Sequence, residues 1–276
     1  MNTSASAVER GQTQSHGLQG RWASLRLLLL AAIGIGAAGL AAPVAAGATW
    51  GERIERASAY ADSRQGVVYF AVTGEGGQLH GRHRFRAAPS ASVLKAMLLV
   101  AYLRRESVRH RDLMDAERAL LGPMIRRSAN EPATRIIGLV GTSGVNRVAL
   151  VAGMRKFRLE LPIWGHSEIT ARDQAFFLRS IDAYLPERHR RYGMRLLNRI
   201  VPSQRWGIPP VKPLGWTIYF KGGWGDGSGV VTHQVALLER GDRRISLAIL
   251  TTGNPSHEYG TRTIRGIAKR LLRGLE

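Results

Sequence analysis

The sequence predicts an α+β fold: one antiparallel sheet covered by the helices nearest the two chain ends, with a separate helical lobe between. β-rich runs occur at both ends of the region that should fold, helical apolar periodicity dominates the stretch between them, and an amphipathic helix flanks each group of strands. Strands and helices that segregate along the chain in this way argue against an alternating, parallel sheet. No internal repeat is visible.

Taken in order, Met1 to Gln19 is rich in Ser, Gln and Gly and is expected to be disordered. Arg21 and Arg26 precede an apolar run from Leu27 to Ala48, broken by Gly34, Gly36, Gly39 and Pro43. Val44-Ala45-Ala46 and Ala46-Gly47-Ala48 both satisfy the small-x-small rule for signal cleavage, and the run is near bilayer-spanning length. An exported protein, secreted or held by this segment as a membrane anchor, is the expectation. Residues 1–48 are therefore set apart from a domain spanning 49–276, with a sheet lobe at about 50–88 and 214–276 and a helical lobe at about 89–213.

Glu52 to Ser63 places Ile54, Ala57, Tyr60 and Ala61 on one helical side. Val67 to Val72 is β-rich, Gly74 to Gly77 is a turn, and Gln78 to Phe85 can return antiparallel. Pro89 and Ser90 read as start signals for a helix that continues to Arg105. Helices are expected at Leu113 to Arg127, Glu131 to Val140, Ser143 to Ala152, Ala171 to Tyr184 and Glu187 to Val201. Arg205 to Pro213 is a loop rich in Trp, Gly and Pro. Strands return at Trp216 to Lys221, Val230 to Glu239 and Ile245 to Thr252, before a last helix from Tyr259 to Leu272.

Composition excludes several kinds of chemistry. The 276 residues contain no cysteine, so thiolate catalysis, disulfides and thiolate metal sites are ruled out. Dispersed histidines without H-E-x-x-H give no metal signature, and no cofactor is implied. The net charge of +20, carried by 35 Arg and 5 Lys, could attract an anionic cell-wall polymer or lipid. The arginines are scattered and not interleaved with aromatics, so specific nucleic-acid binding is not expected.

Three small polar groups in apolar surroundings carry the chemistry. Ser92 and Lys95 lie three residues apart at the start of a helix that is otherwise apolar, so they share a face. Burial and the helix dipole both favour a neutral amine there, and a neutral amine beside a hydroxyl can take its proton. Ser128-Ala129-Asn130 precedes the next apolar helix, and Lys221-Gly222-Gly223-Trp224 ends a late strand where glycines permit close backbone approach. Each alone reads more simply as a cap, a solvated lysine or a turn.

In this order, S-x-x-K, S-x-N and K-x-G, the groups resemble the pattern of the penicillin-recognising serine hydrolases. The chain is similar to class A β-lactamases and the related penicillin-binding proteins from about Trp50 to Leu275. The resemblance implies a β-lactamase-like fold with the active site between the lobes. It implies Ser92 as acyl-accepting nucleophile, Lys95 as its proton partner and Ser128 as relay to the leaving nitrogen. Asn130, Lys221, Gly223 and Trp224 would bind substrate, the N–H groups of Ser92 and Trp224 forming the oxyanion hole. A β-lactam or cell-wall peptide amide is the implied substrate.

The chain also departs from the family. Gly222 replaces the usual Ser or Thr hydroxyl, Ala129 replaces the usual aspartate, and the segment between Ser92 and Ser128 is abbreviated. From Arg155 to Ile169 the family has an Ω-loop E-x-x-L-N whose glutamate activates the deacylating water. Only Glu160 and Glu168 are available here, neither in that pattern, with His166 as a further candidate. Slow release of an acyl-enzyme is the expectation. A D,D-peptidase-like penicillin-binding protein and a non-catalytic envelope-binding protein remain alternatives.

Overall fold

Thr49 opens the first helix through a reciprocal cap. Its hydroxyl accepts the Glu52 N–H at 3.3 Å, and the Glu52 carboxylate accepts the Thr49 N–H at 2.9 Å. The structure, a computed structural model, describes residues 48–225 and 230–275. Apart from Ala48, the expected disordered start and export segment lie outside the described residues. Among the described residues no helix is long and apolar enough to cross a membrane.

The chain runs through α1 (Trp50–Asp62), β1 (Val67–Thr73), β2 (Leu79–Arg82) and β3 (Ala87–Pro89) into α2 (Leu94–Leu103). Next come α3 (Glu106–Arg109), α4 (Asp115–Arg126), α5 (Asn130–Val151) and the short β4 (Glu168–Thr170). Helices α6 (Ala171–Arg179), α7 (Ile181–Tyr184) and α8 (Glu187–Asn198) lead to β5 (Thr217–Gly225), β6 (Val231–Arg240), β7 (Arg243–Thr252) and α9 (His257–Leu272). The expected α+β organisation is present. The five-stranded sheet has the order β2-β1-β7-β6-β5 with every pair antiparallel, so strands from both ends of the domain share one sheet.

Val231 to Leu238 of β6 is buried without alternation, as it must be when both faces are covered. Helices α1 and α9 pack together, α9 lies against β6 and β7, and α6 packs on β1, β6 and β7. Arg53 locks the terminal helices: its buried guanidinium donates to the carbonyls of Ala48 at 2.8 Å and Leu271 at 3.0 Å, and to that of Arg273. In the helical lobe all ten residues of α2 are buried, which explains its apolar circumference. Helices α4, α5 and α8 pack around it.

Several local expectations change. Helix α2 starts at Leu94, because Pro89 ends β3 and Ser90 makes no capping bond. The hairpin return stops at Arg82, where His83 takes a positive φ and the chain turns back through an Arg86 N–H bond to the His83 carbonyl. The β3–β4 pair was not foreseen; three residues on each side are too few to give a period. The two helices expected over 131–152 form one run kinked at Gly141, whose φ of 65° suits glycine. Strand β5 extends four residues past Lys221, because Gly222 to Gly225 continue to pair with β6.

Candidate active site

The turn that carries Ser92 is fixed from three sides. Its shape requires a φ of 44° at Ala91, a left-handed conformation that costs a non-glycine residue on the order of 1 kcal/mol or more. The Ser90 N–H donates to the Ser167 carbonyl at 2.7 Å, and the Ser90 hydroxyl lies 3.4 Å from the carbonyls of Trp164 and Gly165. From the sheet, His233 Nε2 meets the Pro89 carbonyl at 2.8 Å, while its Nδ1 accepts the Thr251 N–H at 3.1 Å. An acceptor at Nδ1 leaves the proton on Nε2, so His233 donates to Pro89 and is neutral. Burial lowers its pKa to about 4, which the bond to Pro89 only partly offsets.

Lys95 is fully buried, and no carboxylate hydrogen-bonds its amine. Desolvation lowers its pKa to about 7. The contacts of Nζ then assign its hydrogens. The Ser128 carbonyl at 2.6 Å and Asn130 Oδ1 at 2.7 Å can only accept, so they take the two N–H bonds of a neutral amine. In that neutral form the lone pair is free for Ser92 Oγ, 2.8 Å away, with the Ser128 hydroxyl a longer contact at 3.3 Å. This is the geometry of a base hydrogen-bonded to its nucleophile.

Ser128 holds a second left-handed backbone, φ 58°, just before α5. It is not that helix's side-chain cap, since Ala129 occupies the N-cap position without a capping bond. Its hydroxyl instead bridges the two lysines, 2.9 Å from Lys221 Nζ and 3.3 Å from Lys95 Nζ. The amine of Lys221 also donates to the Gly222 carbonyl at 2.6 Å. Complete burial, reinforced by the charge of Lys95, drives the Lys221 pKa well below that of an ordinary lysine.

Strand β5 closes the other side. A Cβ on Gly223 would lie 2.9 Å from the Ser92 nitrogen and 2.8 Å from that of Val93, so only glycine lets the strand approach this turn. Trp224, one residue on, is 36% exposed at the mouth of a cleft of about 460 Å³. Ser92, Ser128 and Asn130 also line it, so these three sequence-predicted residues converge on one cavity with Lys95 and Lys221 beneath.

Glu160 and Glu168 are placed elsewhere. Both pair with Arg158, at 3.3 and 3.0 Å, are half-buried, and do not line the cleft. The Arg158 hydrogen bond lowers the Glu168 pKa, which weakens it further as a base. The structure therefore does not bring either expected carboxylate to Ser92. His166 does reach the cleft lining, but over the amine of Lys95 lies the Trp164 ring, its centroid 5.0 Å from Nζ. The indole N–H donates to Thr134 Oγ1 at 3.2 Å. Trp164, Thr134 and Trp206, which packs behind Gly222, were missed from sequence. The visible signal was tryptophan in two irregular segments.

The comparisons agree with this architecture. A family model described as the β-lactamase enzyme family matches residues 117–275, more than half of the chain. That stretch includes Ser128, Asn130 and Lys221 and begins after Ser92 and Lys95. The structure of a β-lactamase from Sphaerobacter thermophilus superposes with a TM-score of 0.73 at 20% identity, covering 83% of this chain and 99% of that one. A class A β-lactamase from Mycobacterium abscessus gives 0.69 at 19% identity, covering 81% and 99%. A structure described as PBP-A gives 0.68 at 17% identity, covering 81% and 95%. These likenesses show the fold. No curated protein matches the chain in sequence.

Proposed function

The chain belongs to the β-lactamase enzyme family, and on that premise we propose that it is an active-serine acyl-transfer hydrolase with Ser92 as nucleophile. A β-lactam or a related cell-wall peptide amide is the substrate class this reading favours. The observation that carries it is the buried Lys95 amine 2.8 Å from Ser92 Oγ, held in place by the Ser128 carbonyl and Asn130 Oδ1.

In the first step Ser92 Oγ adds to the substrate carbonyl as Lys95 takes its proton. The N–H groups of Ser92 and Trp224 stabilise the developing oxyanion, where one such donor typically contributes ~10²–10³ in rate. Ser128 passes the proton to the leaving nitrogen, with Lys221 holding its hydroxyl in place, and the C–N bond breaks. Asn130, fixed by Lys95 through Oδ1, has its amide NH₂ available for the substrate's acylamino carbonyl. Water then has to cleave the acyl-serine. No carboxylate is among the described residues lining the cleft, and Trp164 covers Lys95. His166 is the candidate base left at the cleft lining, and release is the step for which this site is least equipped.

Slow release favours a second reading, a D,D-peptidase-like penicillin-binding protein, over an enzyme that clears antibiotic rapidly. Either role belongs outside the cytoplasmic membrane, a placement supported by the apolar segment Leu27 to Ala48. The test is mass spectrometry of the full chain after exposure to a fluorescent penicillin. We expect one adduct on Ser92, absent from Ser92→Ala and persisting after excess ligand is removed. An unmodified Ser92 would overturn the reading and leave a non-catalytic envelope-binding protein. Rapid return of free enzyme would overturn the slow-release step alone.

A further inference from the structure

We propose that this cleft is specialised for acyl donors that are neutral and apolar beside Lys221 and Gly222, where the family resemblance implies a substrate carboxylate. The inference rests on the active-serine reading above and names the substrate class of the same site.

Three independent features of the cleft point this way. First, the missing hydroxyl has been replaced by carbon. A Cβ on Gly222 would meet Trp206 Cζ2 at 2.9 Å and Cη2 at 3.0 Å, so the indole edge excludes the Ser or Thr that usually stands there. Trp206 is held in that position. Its carbonyl accepts the Gln234 side-chain amide at 2.9 Å, and Gln234 is the β6 partner of Gly222. Its ring also packs edge-on against Trp224 and His257, with centroids 6.0 and 5.2 Å away. Of these rings Trp224 lines the cleft, and the other two support it from behind.

Second, no lysine or arginine is among the described residues lining the cleft. The chain has 40 Lys and Arg residues and a net charge of +20, yet none of the described residues lining the cleft is Lys, Arg, Asp or Glu. Lys221 is fully buried, and its amine is bonded inward to Ser128 Oγ and to the Gly222 carbonyl. A carboxylate entering here would give up its hydration for no matching charge at the surface it meets.

Third, beside the polar groups of Ser92, Ser128, Asn130, Thr134 and His166, the cleft offers apolar side chains. Trp224 and Ile163 remain 36% and 57% exposed at its mouth, with Pro162, Trp164 and Val231 among the other lining residues. Apolar walls with a few convergent polar groups are the makings of a site for a hydrophobic ligand.

The reaction is acyl transfer from an ester or amide R–CO–X. The Ser92 Oγ–C bond forms, the C–X bond breaks, and the Ser92 proton passes through Lys95 and Ser128 to X, which leaves as HX. Water later returns Ser92 and the acid.

Benzylpenicillin and its methyl ester have the same acyl group and the same strained amide, and differ only at the carboxyl, which the ester caps with a methyl group and leaves uncharged. We expect the full chain to acylate Ser92 with the ester at least as fast as with the acid. In the double variant Trp206→Ala, Gly222→Thr, which restores a hydroxyl and the room for it, the preference should move toward the acid by roughly tenfold or more. A wild-type preference of about tenfold for the acid would overturn the inference while leaving the Ser92 reading intact. A non-covalent arm covers an unreactive Ser92. Tryptophan fluorescence of the Ser92→Ala variant should be quenched by phenylacetamide at lower concentration than by phenylacetate. The reverse order would overturn the proposal whatever the chemistry.

Discussion

Acidification should loosen the Ser92 turn through His233, with a size the structure sets. The ring is fully buried, donates to the Pro89 carbonyl and accepts from the Thr251 N–H, so it cannot take a second proton without breaking the latter bond. Its folded pKa is about 4, against the ordinary value of 6.5 that applies to the unfolded chain. Between those values the unfolded chain binds the proton and the folded chain does not, so stability rises with pH across this window and falls as pH drops through it. The loss relative to neutral pH reaches about 2 kcal/mol by about pH 5 and about 3 kcal/mol by about pH 4. Urea unfolding of the wild type and of His233→Asn, at about pH 7 and about pH 5, measures it. The variant should be less stable at neutral pH, because it has lost the anchor to Pro89, yet should lack most of the acid-dependent slope. The same slope in both proteins would refute the reasoning. Carboxylates held low by ion pairs, such as Glu75 and Glu168, lose their contributions mainly as pH falls below their ordinary value of 4.5, beneath the lower of the two measurements.

Three further outcomes can be measured. The rate of Ser92 acylation should rise with pH through about 7, roughly tenfold between about pH 6 and about pH 8, because the active form of Lys95 is the neutral amine; stopped-flow acylation by a chromogenic cephalosporin that fell or stayed flat would refute that role. Gly223→Ala should abolish acylation and cost about 1–3 kcal/mol, since the new Cβ meets three backbone atoms of the Ser90–Val93 turn within 3.2 Å; unchanged activity would mean that strand and turn are not so closely apposed. Glu117→Gln should cost on the order of 2 kcal/mol in urea unfolding. The buried carboxylate accepts from Arg111 and from the Tyr102 hydroxyl of α2, and the Arg111 bond lowers its pKa to about 2. Its contribution is present above the ordinary carboxylate range and disappears as pH falls toward about 2, so the gap between wild type and variant should close in acid.

What could be read from the chain was what depends on pattern. The apolar circumference of α2 announces burial, and a lysine three residues after a serine on such a helix is conspicuous by residue type and spacing alone. Gly222-Gly223 likewise signals close approach, and the structure supplies the atoms approached: an indole for one, the Ser92 turn for the other. What could not be read depends on side chains far apart in sequence. Nothing local to Trp164 says that its ring will lie over Lys95, 69 positions earlier, and nothing local to Trp206 says that it will fill the space beside Gly222. Both sit in irregular segments held by long-range bonds, from the Ser90 backbone in one case and Gln234 in the other. Trp164 lines the cleft within the segment where the expected glutamate pattern is missing, and Trp206 packs on Gly222, where the expected hydroxyl is missing. An indole packed where a Cβ on Gly222 would stand, while Lys95, Ser92 and Ser128 keep hydrogen-bonding contact, is the arrangement on which the proposed preference for neutral acyl donors rests.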